Sequence, residues 1–381
     1  MKKNVVFTRL TVFNNQFEMY DGIENLFKNL NEEGHNIIVI SHKKESLVKM
    51  KAIFKDTFDF KVICGFRKNV RENVNEGNAK DFIIVGSSDD DLILAANKKI
   101  LIINPGWSEI QDDKPRRYGI TLEKPIQLFE AIRLIANQNR WYFDLEVDGK
   151  TRVLSLTSAN TLNWDVVATE KEILEGFQNL LKSGDRKYFN TLYFHLISGV
   201  MQSSELRGVD IWGTFPSSSG TINGELEELK ERCRYLTGKR MKEPLFIRHT
   251  AVNKSHKTAP AKRIREGCKK HFDSVLLNPY YSNRIKGKVV CVLDDYVTNG
   301  ISFETARNLL VKAGADKVIL LALGRFKRGK QGVYQNENYD IKGDITDKGY
   351  QYHLTSRENL VGSYDDGARE EVNCIYEILY S

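Results

Sequence analysis

Two adjacent acids, Asp294 and Asp295, close the apolar run Val289-Val290-Cys291-Val292-Leu293, and the chain then passes through Tyr296 and Val297 into Thr298-Asn299-Gly300-Ile301-Ser302. The apolar run predicts a buried parallel strand with the acids at its C-terminal end. The small polar residues predict a turn, and Phe303 to Ala313 a helix that the turn feeds. Ligands of open α/β sheets bind at that edge of the sheet. A turn of Thr, Asn, Gly and Ser at a helix N-terminus offers backbone N–H groups and hydroxyls to an anion without any charged side chain, and Gly300 lets the backbone come close. Carboxylates placed directly against a phosphate would repel it. They accept hydrogen bonds well from the vicinal hydroxyls of a sugar, and they favour a divalent metal carried on a pyrophosphate. A ribose 5-phosphate, with hydroxyls at one end and phosphate at the other, fits both parts of the element. The alternative is an acidic strand end followed by an ordinary helix cap.

Two upstream segments bear on the same chemistry. Val209 to Gly220 reads as a strand running into a small polar loop, where Ser217, Ser218 and Ser219 could supply hydroxyls and amides to a second anion; such a Ser run also makes a plain linker. Phe246-Ile247-Arg248-His249 reads as another strand, followed by a basic loop with Lys254, His256, Lys257 and Arg263. Between Lys242 and Lys288 there are twelve Lys or Arg against three acids, so this stretch should meet anions. Nucleic acid, a polyphosphate substrate and a solvated face all remain open for it.

Together these segments resemble the type I phosphoribosyltransferase family, whose signature is an apolar strand, two acids, two variable positions and a Thr-x-Gly-x-Thr/Ser phosphate loop. The match falls on Asp294, Asp295, Thr298, Gly300 and Ser302. The resemblance implies that Asp294 and Asp295 hold the ribose hydroxyls, and that Thr298, Asn299, Gly300, Ile301 and Ser302 cradle the 5-phosphate of phosphoribosyl pyrophosphate. It further implies that Ser217 to Ser219 form the pyrophosphate loop. Arg248, Lys254 and Lys257 resemble the strand and basic loop of competence-associated phosphoribosyltransferases, which would close over a leaving pyrophosphate. The implied reaction is displacement at ribose C1 by a nitrogenous base, with magnesium (Mg2+) as cofactor and a homodimer as the assembly. The base is not named by the sequence; Tyr280, Tyr281 and the region after Arg325 are candidates for its recognition by position. The rival reading is a non-catalytic sensor or regulator that binds a nucleotide or ribose phosphate, with a bacterial stress or phage-defence system as a setting suggested by analogy of architecture.

The elements that position these residues are those of an α/β protein with two domains, each an open, mostly parallel sheet with flanking helices. Residues 1–140 form the first, 141–202 a hairpin and helical connector, and 203–381 the second. Strands are predicted at Val5 to Phe7, Asn36 to Ile40, Phe58 to Cys64, Phe82 to Val85 and Ile100 to Ile103, with helices at Phe17 to Leu30 and Lys44 to Phe54. Asp148-Gly149 predicts a hairpin turn, helices are expected near Glu170 to Leu181 and Arg186 to Val200, and strands resume at Val209, Leu245, Val289 and Val318.

The first domain resembles the haloacid dehalogenase-like fold. Ile37 to Ser41 is similar to that family's second motif, and Ile83 to Asp91, followed by Leu92, Ala95 and Ala96, to its fourth. The first motif should end in Asp-x-Asp, but Arg9-Leu10-Thr11 stands in its place, and Ser87 replaces the first acid of the fourth. The resemblance therefore implies a degenerate site at Arg9, Thr11, Ser41 and Asp91, without phosphatase activity, because neither Arg nor Thr forms an aspartyl intermediate.

The 381 residues suit two domains. An apolar fraction of 41% with 28% charged residues is ordinary for a soluble protein, and no run approaches the ~20 apolar residues of a membrane span. Polar Thr8 and Arg9 cut the first apolar run short of a signal peptide's core. The five cysteines are scattered and unpaired in spacing, which fits a reducing cytoplasm and neither zinc nor disulfides.

Overall fold

The structure, a computed structural model, describes residues 1–138, 141–162, 166–241, 243–252, 265–327, 329 and 332–380. The first part of the chain supplies β1 (Asn4–Thr8), β2 (Asn36–Ser41), β3 (Ile63–Phe66), β4 (Phe82–Val85), β5 (Leu101–Pro105) and β6 (Ile120–Leu122). They form one six-stranded sheet in the order β3-β2-β1-β4-β5-β6, and every pairing in it is parallel. Runs such as Val5-Val6-Phe7 and Ile83-Ile84-Val85 are wholly buried, as expected for parallel strands covered on both faces. The strand order reverses between β1 and β4.

The rest supplies β7 (Phe143–Asp148), β8 (Thr151–Ser158), β9 (Ile211–Thr214), β10 (Phe246–Arg248), β11 (Val275–Leu277), β12 (Val289–Val297), β13 (Lys317–Arg325), β14 (Tyr334–Lys342), β15 (Gln351–Leu360) and β16 (Ser363–Tyr364). The second sheet has the order β16-β7-β8-β13-β12-β9 and is mixed. Its four strands β8, β13, β12 and β9 are parallel, whereas β7 runs antiparallel to β8 and β16. β10 with β11, and β14 with β15, form separate antiparallel pairs.

The period-two alternation of the second sheet divides its residues between two cores. Leu154, Cys291, Leu293, Ile319 and Leu321 join a core that runs through the helices Ala168–Ser183, Phe189–Gln202, Gly224–Thr237 and Asp366–Tyr380 to the first sheet. Val153, Val290, Val292, Val318 and Leu320 face the helix Ile301–Lys312, the β10–β11 pair and the β14–β15 hairpin. The helix Phe189–Gln202 is buried almost all round, which is the pattern of a helix enclosed between layers.

Several boundaries differ from the sequence reading, for local reasons. The helix expected from Phe17 begins at Ile23, because Gly22 and Phe17 adopt left-handed backbone with φ of 80° and 67°. β3 starts at Ile63 rather than Phe58, which ends the preceding helix and packs its ring at 5.7 Å from Phe27. Leu245 to His249 is not part of the main sheet: its strand portion pairs with β11. β12 continues past the acids to Val297, so Asp294 and Asp295 lie within the strand and not at its end.

Candidate functional site

β9 pairs with β12 only as far as Thr214 opposite Leu293, whereas β13 accompanies β12 to Val297 opposite Arg325. From Asp294 onward β12 is therefore flanked on one side only. The amide of Asp295 donates to Asp294 Oδ1 at 2.9 Å, and the amide of Tyr296 to Asp295 Oδ1 at 2.6 Å. The two carboxyls also share a side-chain hydrogen bond with each other. Burial and the mutual repulsion of the two acids push Asp294 well above the usual carboxylate range, with the Arg248 charge opposing; burial raises Asp295 as well.

Beyond Val297 the chain turns through Thr298 and Asn299 to Gly300, whose φ is 88°, and enters the helix Ile301–Lys312. Glu304 makes the first bond of that helix, its amide donating to the Gly300 carbonyl at 2.8 Å. The amides of Ile301, Ser302 and Phe303 precede it and have no acceptor within the helix. A Cβ on Gly300 would stand 2.2 Å from the Tyr334 ring, so both the backbone and the space require glycine here. A pocket of about 110 Å³ opens on this turn, walled by Asp294, Tyr296, all the residues from Val297 to Phe303, Lys270 and His271. The sequence-predicted acid Asp294 and phosphate loop thus share one cavity; Asp295 is adjacent in the chain and does not line it. Lys270, His271 and Tyr296 were not among the expected site residues. Lys270 and His271 arrive from the short helix Lys269–Phe272, which no local motif marks.

The Ser-rich loop lies at the same edge of the sheet, since β9 is parallel to β12 and ends beside its acids. Its hydroxyls bond within the loop: Ser217 to the Thr221 carbonyl at 2.7 Å, and Ser219 with Thr221 at 2.7 Å. Ser218 lends its carbonyl to the Val252 amide at 2.8 Å. Arg248 holds this loop in place, donating from Nε to the Ser217 carbonyl at 2.5 Å, from Nη2 to the Pro216 carbonyl at 3.1 Å and from Nη1 to Ser274 Oγ at 2.6 Å. It is a fixed clamp in this state of the molecule, and Lys254 and Lys257 lie outside the described residues.

A second, larger cavity of about 870 Å³ opens near the starts of β8 and β13. Within its lining, Arg152 pairs with Asp144 and Glu205, and Lys317 with Glu205.

In the first sheet the reversal between β1 and β4 gathers Thr8, Thr11, Ser41, Ser87, Ser88 and Asp91 near the C-terminal strand ends. Asp91 is fully buried. Its Oδ2 accepts from the Ser87 and Ser88 amides, each at 3.1 Å, and from Thr8 Oγ1 at 3.3 Å, while Oδ1 pairs with Arg67 Nη2. The arginine beside this acid is therefore Arg67, which the sequence did not single out. Arg9 turns away, donating to the Asn14 carbonyl at 3.2 Å and lying over Phe17. Thr11 bonds the Thr8 carbonyl at 2.9 Å, and Ser41 accepts from the Lys43 amide at 3.2 Å.

The Asp91 site and the acid pair differ in what they leave for a cation. Both oxygens of Asp91 are engaged by internal donors, and among the described residues no group of three His, Cys, Asp or Glu side chains could hold a metal ion. Among those residues, too, no helix is long and apolar enough to cross a membrane.

No protein-family model matches the chain, and no curated protein matches it. Among solved structures, the D,D-heptose 1,7-bisphosphate phosphatase of Burkholderia thailandensis is similar over 32% of this chain and 88% of its own, at 20% identity and a TM-score of 0.26, which is too slight a likeness to carry activity or fold across.

Proposed function

We propose that the second sheet carries a phosphoribosyltransferase site, which binds phosphoribosyl pyrophosphate and transfers its ribose 5-phosphate to a nitrogenous acceptor. The observation that carries this reading is the shared pocket: one wall is the Asp294 carboxylate, and the other is the turn from Thr298 to Phe303 with the unbonded first amides of its helix. The amides suit a terminal phosphate, and the Asp294 carboxylate suits ribose hydroxyls. Magnesium would enter on the pyrophosphate of the substrate, with the nearby Asp294 and Asp295 carboxylates favouring its charge. Positioning and charge stabilisation would account for the rate. The division into two domains, with a first domain that no longer catalyses, belongs to the same reading, as does a homodimer.

A non-catalytic sensor is the second reading, and the engagement of Arg248 by the Pro216 and Ser217 carbonyls favours it, because those bonds would have to break for the guanidinium to follow a leaving pyrophosphate. The deciding experiment is pyrophosphate release from phosphoribosyl pyrophosphate with magnesium across a panel of nucleobases and aromatic amines. Base-dependent release that disappears in the Asp294→Asn, Asp295→Asn variant supports the transferase. Binding of the substrate without release on any acceptor replaces it with the sensor, and absence of binding removes both.

A further inference from the structure

His271 belongs to no motif in the sequence, yet the fold gives it a defined tautomer at the wall of the pocket. It is 5% exposed. Its ring stands edge-on to Phe215, with centroids 5.3 Å apart and planes at 88°. On one side Nδ1 lies 3.2 Å from Arg248 Nη2. A guanidinium carries only donors. Burial lowers Arg248 only to about 10, so it remains charged at neutral pH. Nδ1 is therefore the acceptor of that contact, and a neutral ring must carry its proton on Nε2.

Two charged groups act on the imidazole, Arg248 through Nδ1 and Lys270 beside it in the chain, and Asp294 lines the same pocket. Burial first, then Lys270 and Arg248, hold its pKa well below the ordinary histidine value. The ring thus stays neutral at physiological pH. Among the described residues Nε2 has no hydrogen-bond partner, and the cavity that His271 helps to wall is the one containing the amides of the phosphate turn.

We propose that His271 is a ligand-binding residue of this pocket, its Nε2–H donating to a phosphoryl oxygen of the ribose phosphate seated on the turn from Thr298 to Ser302. The assignment rests on the ribose-phosphate reading above. It gives Arg248 a second role: the clamp that fixes the Ser217 carbonyl also fixes which nitrogen of His271 presents its proton. A neutral donor fits this place, since a second full charge beside Arg248 and Lys270 would be costly to bury. A hydrogen bond to a charged acceptor of this kind is worth about tenfold to a hundredfold in affinity.

The test uses the full chain with ribose 5-phosphate as the probe. Calorimetric binding is measured for the wild type, His271→Phe and His271→Gln, with circular dichroism to verify folding, and nitrogen-15 NMR of the wild-type histidines reports the tautomer. The expected result is a loss of about tenfold to a hundredfold in His271→Phe, partial recovery in His271→Gln, which keeps an N–H donor, and an Nε2–H tautomer that does not titrate across the neutral range and shifts on binding. Wild-type binding that His271→Phe leaves unchanged, or an Nδ1–H or charged ring at neutral pH, overturns the assignment alone. A wild type that does not bind ribose 5-phosphate overturns the pocket reading and this assignment with it.

Discussion

The Tyr334 hydroxyl donates to Glu304 Oε1 at 2.7 Å, joining the start of the β14–β15 hairpin to the helix whose N-terminus forms the pocket. The other carboxylate oxygen is more heavily used. Glu304 Oε2 accepts from Arg307 at 2.8 and 3.0 Å, from Asn336 Nδ2 at 3.0 Å and from the Glu337 amide at 3.0 Å. The Gln335 amide donates to the Asn299 carbonyl at 2.9 Å, so the hairpin also grips the turn directly. A fully buried carboxylate satisfied in this way is costly to remove, because the buried Arg307 is left with only the half-exposed Asp148, at 3.7 Å, as counter-charge. Glu304→Ala is expected to destabilise the chain by about 3–5 kcal/mol, and Tyr334→Phe by roughly 1–3 kcal/mol through the unpaired acceptor it leaves. Urea unfolding monitored by fluorescence checks both, and a Glu304→Ala midpoint equal to that of the wild type would refute the account.

Gly300 carries two constraints that separate experimentally. Its φ of 88° is strained for any residue with a Cβ, and that Cβ would meet Tyr334 at 2.2 Å. Gly300→Ala should cost roughly 1–3 kcal/mol from the backbone with a further packing penalty. It should also weaken ribose 5-phosphate binding by shifting the turn. Combining it with Tyr334→Ala relieves the clash but not the strain, so the double variant should recover less than the full loss relative to Tyr334→Ala alone. Thermal melts and calorimetry on the four proteins decide the matter; full additivity would mean that the ring and the glycine do not interact.

The acid pair gives stability a pH dependence of definite sign. Both carboxyls have folded-state values raised above the unfolded ones. Between those values the folded chain holds more protons, so this pair lowers stability as pH rises from the ordinary carboxylate range through the raised values. Asp294→Asn should therefore raise the melting temperature at neutral pH by a few degrees and flatten its dependence between mildly acidic and neutral pH. Ligand affinity should move the other way, increasing with pH as the carboxylates ionise to accept hydroxyl donors. An Asn variant that melts below the wild type at neutral pH would contradict the sign.

The sequence was most legible where chemistry and element are contiguous. Asp294 and the turn to Ser302 could be found together because they occupy one strand, one turn and one helix start; β1, β2, β4 and the β7–β8 hairpin were likewise marked by unbroken apolar runs or a turn pair. β14 was not legible, since Gln335, Asn336, Glu337 and Asn338 have the composition of a loop and little β-propensity. They form a strand because the Glu304–Arg307 pair bonds Asn336, Glu337 and Asn338 and the Asn299 carbonyl bonds Gln335, a tertiary effect with no local trace. Phe17 and Tyr20 extended the apparent helix period backwards, although they pack from irregular backbone. His271 and Arg67 act through partners distant in the chain, Arg248 and Asp91, and so carry no signature at their own positions.

Arg67 and Asp91 supply the last prediction. The carboxylate is wholly buried and the guanidinium 6% exposed, and Gly86 lets the acid approach so closely that a Cβ there would stand 2.4 Å from the Asp91 Cβ. With Ser87, Ser88 and Thr8 on one oxygen and Arg67 on the other, the pair occupies the place where the first sheet reverses its strand order. Removing only the arginine leaves a buried charge with neutral donors alone, and Arg67→Ala is expected to cost about 3–5 kcal/mol. Replacing both partners by apolar groups of similar volume, Arg67→Met with Asp91→Leu, should cost much less than the single change. If the pair is structural in this sense, wild-type protein should hydrolyse no phosphate monoester, and added magnesium should leave its melting temperature unchanged in the absence of ligand. A magnesium-dependent rise in the melting temperature that Asp91→Asn abolishes would instead identify a metal site using this acid.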